Sequence, residues 1–323
     1  MNSTLNRIPH YKSFFSCDVQ DYEFTEDEFI ELRSFHNGYS SYLSLIYLIE
    51  KEQVCLLKMF LKTNEEKKLY EREHDNYLNI HHPFLPRYFG TTVYQSYRCL
   101  IIEYLEGKTL DKIDFNELSN ENFIKILFEI MLVIEYLQYN GYIYRDLKPN
   151  NVIVDKNNMI YLIDFDRMIK NPSLCNNEKF TVNFMTDYIA PEIINEKSFS
   201  NKADIYSLGK VIAFLISNYE SKDFFNALIK LGENCMEINE TKRPTISDVI
   251  DTFYTYYFSK IYKIPDGENL LNHAHHSFYF PLWFLIAESQ NEFVQLYLGH
   301  LNEYGIYICK DRCNNIDYFY LDD

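Results

Sequence analysis

The stretch from Phe123 to Gly141 constrains this chain most. Phe123, Ile126, Leu127, Ile130, Val133, Ile134 and Leu137 recur at helical spacing as a wide apolar stripe, and Asn140-Gly141 closes it with a good C-terminal stop. Ahead of it the period is different. Residues 30–62 are β-rich: Leu43, Leu45, Tyr47 and Ile49 alternate with other residues, and Val54 to Phe60 is a compact apolar run. A charged stretch, Asn64 to Ile80, has helical spacing at Leu69, Tyr77 and Ile80 and is stopped by His82-Pro83. Two more strands are expected around 87–92 and 98–104, with Glu106-Gly107 as a break. After the long helix, short strands near 152–154 and 160–163 flank the turn Asn157-Asn158, and helices run from about Ala203 onward. A small strand-rich lobe followed by a larger helical one predicts an α+β fold with a cleft between the lobes, the usual place for a ligand.

Charge excludes some partners. Over 323 residues the formal net charge is −16, which argues against nucleic acid and against an anionic membrane surface. Seven acids and no Lys or Arg lie between Asp18 and Glu31, read as a solvated face ending a poorly ordered lead. The seven cysteines are scattered; only Cys309 and Cys313 are close, and no second pair completes a zinc set. The longest apolar run, Phe278 to Ala287, is ten residues, about half of a membrane helix. The first ten residues lack the apolar stretch of a secretory signal, so a reduced, cytoplasmic protein is the expectation.

Three short polar segments follow the long helix. Tyr144-Arg145-Asp146-Leu147-Lys148-Pro149-Asn150-Asn151 comes first. Asp164-Phe165-Asp166 begins 18 residues past Asp146, and Ala190-Pro191-Glu192 ends 28 residues past Asp164. In order and spacing these resemble the catalytic loop, metal-binding triplet and A-P-E motif of the eukaryotic protein kinase family. The resemblance covers roughly residues 29–257. It implies a bilobal kinase-like fold, ATP and Mg²⁺ as cofactors, and a protein substrate.

The residue types suit that chemistry. Phosphoryl transfer needs little covalent chemistry, but it must neutralise a triphosphate and align the acceptor hydroxyl. By the resemblance, Asp146 orients that hydroxyl and accepts its proton, and Lys148 stabilises charge on the transferring group. Asn151 and Asp164 hold magnesium through oxygens, the hard ligands it prefers. Lys58, in the apolar run, takes the place of the ATP-phosphate lysine, with Glu73 as its ion-pair partner. Ile102 precedes the hinge, Glu103 to Leu105, whose backbone would bond adenine; Gly38, Leu43, Leu56 and Ile153 complete the implied nucleotide contacts. Asp204 resembles the helix aspartate that braces the catalytic loop, and Arg243 the partner of Glu192. Lys148-Pro149-x-Asn151 is the version typical of serine/threonine kinases. Arg145 beside Asp146 suggests control by phosphorylation, with Ser173 and Thr181 as candidate sites.

Several positions depart from the family pattern. Only Gly38 remains of the glycine-rich loop, and side chains at His36 or Ser41 would hinder backbone approach to phosphate. Leu56 replaces the small alanine that lies over adenine, and Asp166 replaces a glycine that permits unusual backbone angles. The alternative reading is therefore a weak or inactive pseudokinase acting as a protein-binding scaffold. Beyond a linker, 259–272, the segment Leu298-Gly299, Tyr304-Gly305, Asp311 and Tyr318-Phe319 resembles the Sel-like subtype of tetratricopeptide repeats. The expected organisation is a lead over 1–28, a kinase-like domain over 29–258 and an all-α helical-repeat tail over 273–323. That tail is a candidate surface for a protein partner, although one and a half repeats cannot bury a solenoid core without neighbours.

Overall fold

The computed structural model describes residues 21–35, 41–82, 84–170, 187–194, 200–219, 226–253 and 256. The expectations at Gly38, Ser173 and Thr181, and those for the linker and repeat tail, fall outside these residues.

Six strands make the small lobe: β1 (Glu23–Phe24), β2 (Phe29–Phe35), β3 (Ser41–Leu48), β4 (Gln53–Phe60), β5 (Tyr88–Tyr94) and β6 (Tyr97–Glu103). They lie in the order β1-β5-β6-β4-β3-β2, and only the β1–β5 pairing is parallel. The β5–β6 hairpin turns through Gln95 and Ser96, both at positive φ (49° and 65°), the turn geometry that matches strand twist. One face of the sheet buries Ile46, Leu48, Cys55, Leu57, Met59, Cys99 and Ile101 together with Phe24 and Phe29. The alternation in β3 therefore buries Ser44, Ile46 and Leu48 fully, while Leu43, Leu45 and Tyr47 are half-buried on the opposite face and Ile49 is exposed in the turn. The acidic stretch is not simply a solvated lead. Its Phe24 and Phe29 are buried, and Glu23–Phe24 extends the sheet.

Helix α1 (Asn64–Asn79) starts where the Thr63 hydroxyl accepts the Glu66 N–H, an N-cap that satisfies one orphan donor. Its inward side carries Tyr70, Glu73, Asn76 and Tyr77, so apolar spacing alone understates how much of it is buried. In the larger lobe follow β7 (Gly107–Thr109), α2 (Asn120–Tyr139), β8 (Tyr142–Ile143), β9 (Val152–Asp155), β10 (Ile160–Leu162), β11 (Ile169–Lys170), α3 (Pro191–Ile194), α4 (Lys202–Ser217), α5 (Asn226–Cys235) and α6 (Ile246–Phe253). Helix α2 is the core of this lobe. Every residue of the sequence-read stripe is buried, and Ile124, Phe128, Met131 and Leu132 bury the remaining faces, as expected of a helix surrounded by protein. Gly141 ends it at φ 79°, a left-handed conformation that suits glycine. Among the described residues no helix is long and apolar enough to cross a membrane. The chain between β8 and β9 and the chain after β10 carry the polar segments, and the second meets the small lobe at Lys58, Arg72 and Asn76.

Candidate active site

The centre of the site is Lys58, on the face of β4 that looks toward α1. Its Nζ lies 2.6 Å from Glu73 Oε2 on α1 and 2.8 Å from Asp164 Oδ1, just after β10. One lysine thus ties the sheet, the helix and the larger lobe together. Burial opposes its charge, but Asp164, Glu73 and Asp166 outweigh that and hold its pKa well above the ordinary lysine range. Burial also opposes ionisation of Asp164, and here Lys58 prevails, by charge and by hydrogen bond, lowering its pKa. Glu73, fully buried, is pushed upward by burial and by Asp164 and Asp166, with Lys58 pulling the other way. Its Oε1 has no partner among the described residues. The pocket therefore sets Lys58 against three carboxylates, with Lys148 and Arg167 adding positive charge beside Asp164 and Arg167 beside Asp166.

The loop 144–151 is shaped by Asp204 at the start of α4. Its two carboxylate oxygens accept the backbone N–H groups of Tyr144 (2.9 Å) and Arg145 (2.8 Å). That brace holds Arg145 in the left-handed region at φ 66°, a strained conformation for a residue with a side chain. Asp204 is fully buried, and burial pushes its pKa up to about 6 against the pull of those two amides. Within the loop, Asp146 Oδ2 accepts from Lys148 Nζ at 2.9 Å and from Asn151 Nδ2 at 2.8 Å. The same Asn151 amide donates to the Asp146 carbonyl at 2.9 Å. Burial raises the Asp146 pKa, with Lys148 the main opposing charge, which moves a carboxylate toward use as a base near neutrality.

The triplet 164–166 differs from the sequence expectation in one respect. The left-handed residue is Asp164, at φ 68°, and Asp166 is not among the positive-φ residues, so the loss of glycine there strains nothing. Asp166 is buried, its Oδ1 is unpartnered among the described residues, and burial and then Asp164 push its pKa up to about 6. Its carbonyl accepts from Arg72 of α1 at 3.1 Å.

The remaining predicted residues lie around this centre. Ile102 is buried, whereas Leu56, Leu105 and Ile153 are half-buried, and all four belong to one apolar cluster that joins the two lobes. Leu56 is paired in register with Leu45 and Ile102, and Leu43 with Lys58. Glu103 is occupied: Arg87 holds its carboxylate at 2.9 Å, and its own N–H donates to the Arg87 carbonyl at 2.8 Å. Glu192 on α3 receives both terminal nitrogens of Arg243, at 2.5 and 2.8 Å, and the arginine side chain is completely buried.

Sequence reasoning missed two contributors. Asn76 Nδ2 donates to the carbonyls of Phe165 (2.8 Å) and Met168 (3.1 Å), clasping the triplet to α1. The signal was its spacing: it follows Glu73 by three residues, on the same helix side. The second is a column of rings. Tyr88 stacks on Tyr77 (5.7 Å), Tyr77 meets Phe165 edge-on (5.0 Å), and Phe165 meets Tyr144 edge-on (6.1 Å). It runs from β5 through α1 to the catalytic-type loop and accounts for part of the aromatic content.

As for a cofactor, the donors at Asn151 and Asp164 are oxygens, which suits Mg²⁺. Among the described residues no three His, Cys, Asp or Glu side chains form a metal cage of their own. A cation held by one or two protein ligands plus phosphates fits both observations.

A sheet lobe and a helical lobe joined by a buried lysine–carboxylate cluster define the class of bilobal kinase folds. The comparisons agree, since the model of the protein kinase domain matches residues 33–223. The chain belongs to the protein kinase family. It is 30% identical to cAMP-dependent protein kinase type 3 of Saccharomyces cerevisiae over 216 residues, which are 66% of this chain and 50% of that one. It is 26% identical to an Aurora kinase of the same yeast over 217 residues, 64% and 55% of the two chains. With the dual specificity protein kinase zak2 of Dictyostelium discoideum it shares 24% over 220 residues, 63% and 33%. The chain thus spans from a third to just over half the length of these relatives. The kinase match ends ahead of the segment where a Sel-like repeat is expected, and no comparison supports that repeat.

Proposed function

We propose that the chain is an ATP-dependent protein kinase that transfers the γ-phosphate to Ser or Thr of a protein substrate. The observation that carries this is Lys58 held between Glu73 and Asp164, above a loop in which Asp146, Lys148 and Asn151 are already mutually bonded. Bound Mg²⁺ and ATP would supply the phosphoryl group and the positive charge that offsets its developing negative charge. Lys58 positions phosphate oxygens, and its two carboxylate contacts fix where its ammonium sits. Asn151 and Asp164 would hold the metal. Asp146 keeps Oδ1 for the acceptor hydroxyl while Oδ2 is held by Lys148 and Asn151, and it takes the hydroxyl proton. Lys148 then faces the transferring group. The Lys148-Pro149-x-Asn151 form of the loop supports serine/threonine specificity, and the reduced cytoplasmic setting read from the sequence belongs to the same proposal.

The test is phosphotransfer from Mg–ATP to a protein substrate by the full chain, compared with Asp146→Asn and Lys58→Met. Incorporation in the wild type that either substitution abolishes supports the reading. Incorporation absent from the wild type, or indifferent to both changes, removes it. A second reading, a scaffold without catalysis, is favoured by Leu56, half-buried where a small alanine would lie over adenine. It predicts that Mg–ATP leaves the melting temperature unchanged, whereas a bound nucleotide at 100 times its dissociation constant adds about 2.7 kcal/mol.

A further inference from the structure

The segment ahead of residue 33 lies outside the match to the kinase domain, yet residues 21–28 are built into the small lobe. The Tyr22 carbonyl accepts the Thr91 N–H at 2.8 Å, and Phe24 is buried in the sheet core. Gly90 makes room for this crossing: a Cβ there would meet the Tyr22 carbonyl oxygen at 2.1 Å. Asp21 stands at the head of the segment, beside two elements of the site. Its Oδ1 accepts the Tyr88 hydroxyl at 2.6 Å. The same oxygen lies 3.1 Å from Nε2 of His74, an ion-pair distance without hydrogen-bond alignment. His74 follows Glu73 directly on α1, and its ring stacks on Tyr70 at 5.7 Å. Tyr88 is the upper ring of the column that reaches Phe165 and Tyr144.

We infer that Asp21 is a positioning residue, which latches helix α1 and the ring column to β5 and so keeps Glu73 against Lys58. Rings of Tyr70 and Tyr77 pack α1 onto the sheet and the triplet, but the buried Lys58–Glu73 pair at 2.6 Å tolerates little shift of the helix. The Tyr88 hydrogen bond fixes the carboxylate to the strand, and the close approach of the His74 ring sets it against the helix beside that strand. The parallel pairing of β1 with β5 then prevents the carboxylate from drifting away. The catalytic consequence rests on the phosphotransfer reading above; the structural latch does not.

Two variants of the full chain test it. Asp21→Ala removes the carboxylate that both contacts share, and Tyr88→Phe removes only the donor hydroxyl while keeping the ring in the column. Glu26→Gln, on the same segment but away from the helix, is the control. In the nucleotide-free protein, amide hydrogen exchange across 70–79 is expected to quicken about tenfold in both variants, with α2 amides unchanged. If the wild type transfers phosphate, kcat falls about three- to tenfold in both while KM for ATP moves less than about twofold, the pattern of a misplaced group and not of lost binding. Restoring the carboxylate as Asp21→Glu recovers part of both losses. Exchange across 70–79 that is unaltered in both variants overturns the latch. Faster exchange in a transfer-competent protein with kcat unchanged overturns its role in positioning Glu73. A wild type that transfers no phosphate defeats the functional reading alone, and the exchange measurement still decides on the latch.

Discussion

Glu135 offers a direct test of the larger lobe. It sits on α2, completely buried, with no cation beside it among the described residues. Ser247 Oγ approaches Oε1 only at 3.5 Å, and Oε2 has no partner among the described residues. Burial, and then the charge of Asp251, push its pKa from 4.5 up to about 8. The folded chain therefore keeps a proton that the unfolded chain loses near pH 4.5. Below that pH both states are protonated and the group has no effect. As pH rises toward 8 the unfolded state gains by ionising, so stability falls by about 1.4 kcal/mol per pH unit, and above 8 the penalty is constant. Between pH 5 and pH 8 the loss comes to about 3 kcal/mol. Glu135→Gln removes the titration. Burial of the amide carries its own cost, but that cost is the same at every pH and shifts only the baseline. Urea unfolding of both proteins at pH 5, 6, 7 and 8 should show the variant gaining on the wild type by about 3 kcal/mol across the series. A difference that is equal at pH 5 and pH 8 would refute the reasoning, since it would place the Glu135 carboxyl in water or beside an unseen donor.

Three further outcomes follow from the same geometry. Glu192→Ala leaves the buried Arg243 guanidinium without its carboxylate and should cost about 3–5 kcal/mol in urea unfolding; a loss under 1 kcal/mol would mean that the carbonyls of Lys202, Glu237 and Ile238 suffice to hold it. Asp204→Asn can accept only one of the two amides of Tyr144 and Arg145 through its single oxygen, so stability should fall by about 1–3 kcal/mol, with faster hydrogen exchange at those two amides. Asn76→Leu fills the same space without the donor, strips the Met168 carbonyl of its Asn76 bond and leaves the Phe165 carbonyl only the Met168 N–H at 3.2 Å. It should destabilise by about 1–3 kcal/mol and loosen the triplet, read as proteolytic cleavage near 165 in native conditions; cleavage no faster than in the wild type would dispose of the clasp.

The long helix, the hairpins and the site residues of the larger lobe were legible because their signals are local. The stripe from Phe123 to Leu137 carries its own period, and Asp146, Asn151 and Asp164 sit in contiguous polar segments at short range. Lys58 and Glu73, on different elements, could be matched to each other only through the family resemblance. What escaped the sequence is what depends on contacts between distant elements. Helix α1 is buried through Tyr70, Glu73, Asn76 and Tyr77, residues whose type says surface and whose surroundings say interior. The acidic stretch reads as solvated because charge dominates it, yet Phe24 on β1 and Phe29 at the start of β2 both turn into the sheet core. The ring column links Tyr88, Tyr77, Phe165 and Tyr144 across 88 positions of chain, and no spacing rule connects them.

These long-range contacts explain how a charged site can be held together at all. Lys58 against Glu73, Asp164 and Asp166 is an unbalanced set to bury, and each unpaired carboxylate oxygen raises the cost of closing α1 onto the sheet. The elements that hold it closed carry little charge in their contacts: stacked and edge-on rings, the Asn76 amide on two carbonyls, and the apolar cluster that runs from Leu56 to Ile153. Neutral packing thus assembles the site, and the surplus negative charge is left for a cationic partner to relieve. A magnesium ion at Asn151 and Asp164 would offset that charge directly, while the anionic phosphates that accompany it would draw on Lys58 and Lys148.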